Sequence, residues 1–381
     1  MKIRRLLALI LAVALIATVM TSCKKKDPDL AVDGDGMLAP TFEGTPDGTI
    51  DFDAAYAAYK PGDVMMTAGG SDVTWDLLYY FLASAIDEVT YMTGSAPDLS
   101  IKDDTEAGTI GFRDQIISRA LDGVLTYKTI EYGAQISNAA ISDDDKASIA
   151  LERQLAEDQY GGSDAFSAEL KEYRMSDAVY LYLTTIGYLY DNAVAARYGE
   201  RSALISDADV EEMYADADWL MAKHILLLTT DYMTPEEVVA VVDKGNDILA
   251  QLDAFEGEDF DAYFSSLMEE HGEDPGAVAS PGGYLFTSGD MVPEFEQGTR
   301  DLEIGEFSGL IQTSYGYHII YRLPIDFDAV PSSWQRQGYN YSLRTAVALE
   351  KFAADVEDWR IEMPVEYTDL YNNLDIAKVF K

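Results

Sequence analysis

The sequence predicts an α+β chain, in which a mostly helical body built from the N- and C-terminal parts is interrupted by a smaller β-α-α-α-β-β domain. Apolar residues recur at three- and four-residue spacings through most of 64–218 and again after Pro324, the periodicity of buried helix faces. Two β-branched or aliphatic runs, Ala222-Lys223-His224-Ile225-Leu226-Leu227 and Tyr315-Gly316-Tyr317-His318-Ile319-Ile320, read as strands. Between them lie two amphipathic helix patterns, a Gly/Pro loop and the segment Gly289-Asp290-Met291-Val292-Pro293-Glu294-Phe295-Glu296.

Residues 1–22 read as a targeting segment. Lys2, Arg4 and Arg5 form a positive stretch, and the apolar run from Leu6 to Met20 is short for a membrane span. Thr21-Ser22-Cys23 follows, small residues directly before the only cysteine of the chain. Residues 23–63 are expected to be a flexible acidic tether. From Asp27 to Asp63 nine acidic residues accompany one basic residue, Lys60, a composition that does not offset the entropy of ordering. Lys24, Lys25 and Lys26 stand beside Cys23, where anionic headgroups would attract each by about 1 kcal/mol.

A single cysteine excludes intrachain disulfides, so packing must hold the fold. Asp33-Gly34-Asp35-Gly36 begins like a calcium loop, but Met37 occupies the next ligand position and no glutamate closes twelve residues. No metal or other cofactor is expected. The formal charge of −41 argues against nucleic acid as a partner, because phosphate binding needs clustered Lys and Arg.

Residues 64–218 are expected to form a helical domain. Trp75, Leu78, Phe81, Leu82, Ile86 and Val89 make one buried stripe, and Phe112, Ile116, Ala120, Val124 and Leu125 another. Further helices are expected over 144–157, 163–173, 176–198 and 206–215, several opened by Ser or Asp at the cap. The helix over 176–198 carries Tyr180, Tyr182, Tyr188 and Tyr190, which suit either a helical core or a surface that grips unfolded chains.

The inserted domain spans 219–324. Thr234-Pro235-Glu236-Glu237 combines an N-cap, a proline at the first helical position and a glutamate able to bond back to the cap. Phe260, Tyr263, Phe264, Leu267 and Met268 mark a second helix ending near Gly272. In the last strand Tyr317, Ile319 and Tyr321 point to one face and His318 and Ile320 to the other.

The two histidine strands, the MVPEFE segment at Met291 and the closing GYHII hairpin, in this order and at this spacing, resemble the parvulin (rotamase) peptidyl-prolyl cis-trans isomerases over that family's whole domain. The resemblance implies catalysis by His224, His318, Asp274 and Thr313. It implies a proline pocket formed by Met291 and Phe295 and completed by Leu285 or Phe286. Family members carry Gly-Gly-Asp-Leu-Gly where this chain has Gly282-Gly283-Tyr284-Leu285-Phe286. Leu226 to Val242 contains no Lys or Arg, unlike the basic cluster of the phosphate-directed parvulins. His271 has no assigned counterpart and reads as an exposed histidine at a helix end.

Residues 325–381 return to helical periodicity through Trp334, Tyr341, Leu343, Val347, Phe352 and Val356. They are expected to pack on the N-terminal helical domain, an arrangement that resembles PrsA-type foldases and, more distantly, SurA-type chaperones. Small residues before Cys23 resemble a lipobox, which implies lipidation of Cys23, with Met20 in place of the usual leucine; an uncleaved signal anchor is the alternative. The resulting expectation is an extracytoplasmic, lipid-anchored isomerase and chaperone. Its partners would be the membrane, through the lipid, and unfolded or newly exported proline-containing polypeptides. Whether it forms a homodimer the sequence does not decide. A non-catalytic holdase retaining a parvulin fold is the alternative, and a solute-binding lipoprotein is disfavoured by the helical first half.

Overall fold

The computed structural model describes residues 50–101 and 111–381. The targeting segment, Cys23, the lysines after it and the Asp33–Gly36 run lie outside the described residues. The described chain divides into two compact units, one made of residues up to Glu200 with Lys351–Lys381 and the other of Arg201–Glu350.

The first unit begins with a short helix α1 (Phe52–Tyr56), capped by the Asp51 carboxylate on the Ala54 N–H at 2.9 Å. A hairpin of β1 (Val64–Ala68) and β2 (Ser71–Thr74) follows. Five helices come next: α2 (Trp75–Thr93), α3 (Phe112–Ile136), α4 (Asp143–Tyr160), α5 (Ser163–Glu172) and α6 (Asp177–Tyr198). The stripe expected on α2 is the core face, with Trp75, Leu78, Leu82 and Ile86 at 0–1% exposure.

One expectation changes here, and one open choice is decided. The acidic tether was expected to reach residue 63, but α1 is ordered against the core. Ala55 is fully buried, the Trp75 indole donates to the Tyr56 carbonyl at 2.8 Å, and the Tyr56 hydroxyl donates to buried Asp76 at 2.8 Å. Three aromatic residues, Phe52, Tyr56 and Tyr59, and their contacts outweigh the local acidity. On α6, Tyr180, Tyr182 and Tyr190 pack against the core, and the Tyr188 hydroxyl donates to Glu152 at 2.5 Å. The tyrosines therefore serve the interior more than a client surface.

The second unit opens with α7 (Asp207–Met213), whose Ser206 and Asp209 form a capping box. Then come β3 (Leu220–Leu228), α8 (Pro235–Asp253), α9 (Phe260–His271), β4 (Tyr284–Phe286), α10 (Pro293–Arg300), β5 (Ile311–Thr313), β6 (Gly316–Leu323) and α11 (Ser332–Arg336). The Thr234-Pro235 start carries the expected capping box with Glu237. The strands form an antiparallel sheet in the order β4-β3-β6-β5. One face carries Ile225, Leu227, Ile319 and Tyr321 against α8 and α9, and the other Leu220, Ala222 and Ile320 against Phe295 of α10. The strand β4, hidden in a Gly-Gly stretch, went unread in the sequence.

This unit is wider than residues 219–324. The Arg344 guanidinium donates to the Ile205 carbonyl at 2.6 Å, to Asp207 at 2.7 Å and to Asp328 at 2.8 Å. Trp334 packs against Trp219, Tyr214 and Tyr341 at ring separations of 5.4–6.4 Å. These contacts bring 201–218 and 325–350 into the second unit, where the sequence had assigned them to the helical segments.

The chain returns to the first unit through α12 (Leu343–Glu362), from Lys351 onward, and β7 (Val365–Tyr367). β7 pairs with β1, making a small sheet of order β2-β1-β7 inside the helical unit. The Trp359 indole lies on Gly133 of α3, where an added methyl would sit 2.1 Å from the ring. Gly133→Ala should therefore lower stability by about 1–3 kcal/mol through overpacking. Gly187→Ala, on α6 with nothing within 4 Å, should raise it by about 0.4–1 kcal/mol. Urea midpoints of the two variants measure both.

Candidate active site

β3 is buried on both faces, so its alternation decides what each side chain meets. Lys223 points to the α9 side, where Asp261 receives its ammonium at 2.7 Å through both carboxylate oxygens and Ser265 at 3.0 Å. His224 points to the other side. Pairing with β6 sets Leu226 opposite His318 and His224 opposite Ile320, so the two imidazoles share a face as diagonal neighbours. Their Nδ1 atoms are 2.9 Å apart and their rings lie 5.1 Å apart, nearly parallel at 18°.

The hydrogen bonds continue in both directions. His224 Nε2 meets Asp274 Oδ2 at 2.8 Å, and His318 Nε2 meets Thr313 Oγ1 at 2.8 Å. Thr313 is placed by the hairpin whose Gly316, at φ +143°, lies so close to the Leu227 carbonyl that a side chain there would sit 2.1 Å from it. Asp274 sits after α9 on a loop tied to the end of β3. The Glu273 N–H donates to the Leu226 carbonyl, and the Glu273 carboxylate accepts from the Leu228 N–H, each at 2.8 Å. Asp274 also accepts from the Tyr284 hydroxyl at 2.6 Å and the Gly276 N–H at 3.0 Å.

Partner requirements assign the protons. An ionised Asp274 only accepts, so His224 carries its proton on Nε2. His224 Nδ1 then accepts from His318 Nδ1–H, and His318 Nε2 accepts from the Thr313 hydroxyl, which itself accepts the Tyr315 N–H at 3.1 Å. Every group is satisfied with both imidazoles neutral.

The electrostatics agree with this order. The hydrogen bond from His224 is the largest influence holding Asp274 well below the usual carboxylate range, helped by Tyr284 and Gly276 and opposed by burial. Burial first, then Asp274, pushes the Tyr284 hydroxyl up. Burial, reinforced by the neighbouring His224 and opposed by Asp274, lowers His318 to about 4.

Beside the imidazoles lies a cavity of about 460 Å³. Leu226, Met291, Val292 and Phe295 give it apolar walls, and the Phe295 ring stands edge-on to both imidazoles at 5.1 and 5.4 Å. Asp274, His224 and His318 form its polar side, with Tyr284, Tyr315 and Arg336 also lining it.

The structure thus brings His224, His318, Asp274, Met291 and Phe295 to one cavity. Thr313 stands behind His318 and does not line the cavity, so its part is to position the ring. Leu285 and Phe286, expected to complete the pocket, do not line it either. Leu285 pairs with Met221 and turns to the opposite face, while Phe286 is buried beneath Phe295 at a ring separation of 5.8 Å. Tyr284 takes the place expected of them. Its pairing with Ala222 sets it on the His224 face, and that register was not readable from Gly282-Gly283-Tyr284. Arg336 was missed because it lies beyond the domain expected from sequence. His271 lies outside the cavity, 3.9 Å from Glu270.

Residues 224–323 match the family model of the rotamase, described as the PPIC-type PPIASE domain. The module is a parvulin-type rotamase domain. The foldase protein PrsA of Geobacillus kaustophilus is 38% identical over 119 residues, 30% of this chain and 36% of that protein. PrsA of Caldanaerobacter subterraneus is 25% identical over 215 residues, 55% of this chain and 57% of that protein. The chain therefore spans between about a third and just over half the length of these curated relatives. The crystal structure of PrsA from Bacillus subtilis aligns with 70% of this chain and 91% of its own at 21% identity, with a TM-score of 0.30.

A consequence for pH follows from His318. Its unfolded reference value is 6.5 and its folded value about 4, so the unfolded chain binds more protons between those limits. The stability contributed by the neutral ring is complete above pH 6.5 and is lost as pH falls toward 4. Asp274, lowered in the fold, contributes stability that is present above 3.8 and lost as pH falls below that value. Urea midpoints measured across pH 7 to 4 should fall less steeply for His318→Gln than for the unsubstituted protein, even though the variant starts lower.

Proposed function

We propose that this chain is a peptidyl-prolyl cis-trans isomerase and chaperone that acts outside the cytoplasm on unfolded or newly exported proline-containing polypeptides. A lipid on Cys23 would hold it to the membrane. No helix among the described residues is long and apolar enough to cross a membrane. The observation that carries the proposal is the His224–His318 pair at 2.9 Å, set on the wall of an apolar cavity large enough for a pyrrolidine ring.

The reaction asks for no bond cleavage. An amide resists rotation by roughly 18–20 kcal/mol because twisting removes its resonance. In the planar amide, resonance places negative charge on the carbonyl oxygen; in the twisted form that charge returns to nitrogen as a lone pair. A site gains rate only by holding the twisted form more tightly than either planar one. In this reading the proline ring seats on Met291, Val292 and Phe295, which fixes the nitrogen side of the bond. The carbonyl side swings near Asp274. An ionised carboxylate beside the carbonyl oxygen disfavours the charge-separated planar form relative to the twisted one. Its fixed orientation by His224, Tyr284 and Gly276 makes that bias available without rearrangement. His318 and Thr313 act through His224 by holding it in one tautomer.

The test is cis-trans exchange in a short proline peptide, followed by NMR with the full chain. Acceleration is expected, with His224→Ala and His318→Ala each lowering it roughly tenfold or more, the scale of losing a preorganised polar partner. Unchanged acceleration in both variants, or none by the unsubstituted protein, would overturn the catalytic reading.

A further inference from the structure

The wall of the cavity is completed from outside the matched domain. That domain ends at residue 323, yet Arg336 of α11 lines the cavity. Its placement is not incidental to a loose tail. Trp334, two residues earlier, is packed between Trp219 and Tyr341 at ring separations of 6.3 and 5.4 Å. Ser332 is buried at 6% exposure, and the helix closes at Gly338, whose φ of +89° turns the chain away. Arg336 Nη2 is 3.3 Å from the Asp290 carbonyl and 3.5 Å from its carboxylate, immediately before Met291 on the pocket floor. Asp290 is itself fixed by the Thr287 N–H at 3.0 Å.

Those two contacts engage one end of the guanidinium only. Its side chain is 57% exposed, and its remaining N–H groups have no protein partner among the described residues. Arg336 is also the one permanently cationic side chain lining the cavity, in a chain of formal charge −41. Around it stand Asp274 and Asp290 as anions and His224 and His318 as titratable groups. The carboxylates of this lining disfavour an acidic polypeptide, whereas at the rim the planar fork of donors on Arg336 suits a carboxylate.

Building on the isomerase reading, we propose that Arg336 is a specificity-determining residue that selects proline segments carrying an aspartate or glutamate next to the proline. The selectivity is modest because the rim is open to solvent. It should amount to a preference of about two- to fivefold, the range of an exposed ion pair. It should weaken as salt rises, since exposed charges are screened.

The experiment uses the full chain and peptides with Glu, Ala or Lys placed before or after one proline. Exchange rates are read by NMR, and affinities by titrating peptide shifts at low and high salt. The expected result is a Glu-over-Lys preference at one flanking position, abolished in Arg336→Ala, reversed in Arg336→Glu and reduced at high salt. A Glu-to-Lys ratio that Arg336→Glu leaves unchanged would overturn the proposal, whether or not exchange is accelerated. If titration gives the preference and its reversal while no peptide exchanges faster, the isomerase reading fails and the role of Arg336 stands.

Discussion

The contact on which the site depends is the hydrogen bond between His224 Nδ1 and His318 Nδ1. Two imidazoles with 7% and 3% exposure cannot be left with unsatisfied nitrogens, because a buried polar group without a partner costs about 1–3 kcal/mol. Each satisfies the other at its inner nitrogen, and Thr313 and Asp274 satisfy the outer ones. The arrangement works only in one register of β3 against β6. A slip by one residue would turn one imidazole into the α8 and α9 face and leave the other unpaired. Gly316, pressed against the Leu227 carbonyl, helps to fix that register.

The same network organises the charge of the cavity. Asp274 would be an expensive anion beside apolar walls, but three donors hold it ionised and aimed. Phe295 covers both imidazoles and also forms the cavity wall, so the residue that excludes water from the histidines is the one against which a proline ring would rest. Polar order and apolar shape are thus built by one set of contacts.

Much of this was legible in the sequence. The histidine strands, the Thr234 capping box and the stripes of α2 and α3 are periodic or motif-bearing, and such signals survive without tertiary context. What was not legible depended on register or on distant packing. Tyr284 reaches the site because β4 pairs with β3 at Ala222, and nothing local to Gly282-Gly283 specifies that pairing. Arg336 reaches it because Trp334 docks on Trp219 more than a hundred positions earlier in the chain. The end of the acidic tether was misread because composition over 27–63 conceals the aromatic contacts of α1.

The central claim is the one-way order of hydrogen bonds from Thr313 to Asp274, and imidazole nitrogen NMR of the uniformly ¹⁵N-labelled protein at neutral pH tests it directly. The account predicts that His318 is protonated on Nδ1 alone and His224 on Nε2 alone, with a coupling between the two Nδ1 atoms across the shared proton. Both rings protonated on Nε2, or both exchanging freely between tautomers, would contradict it.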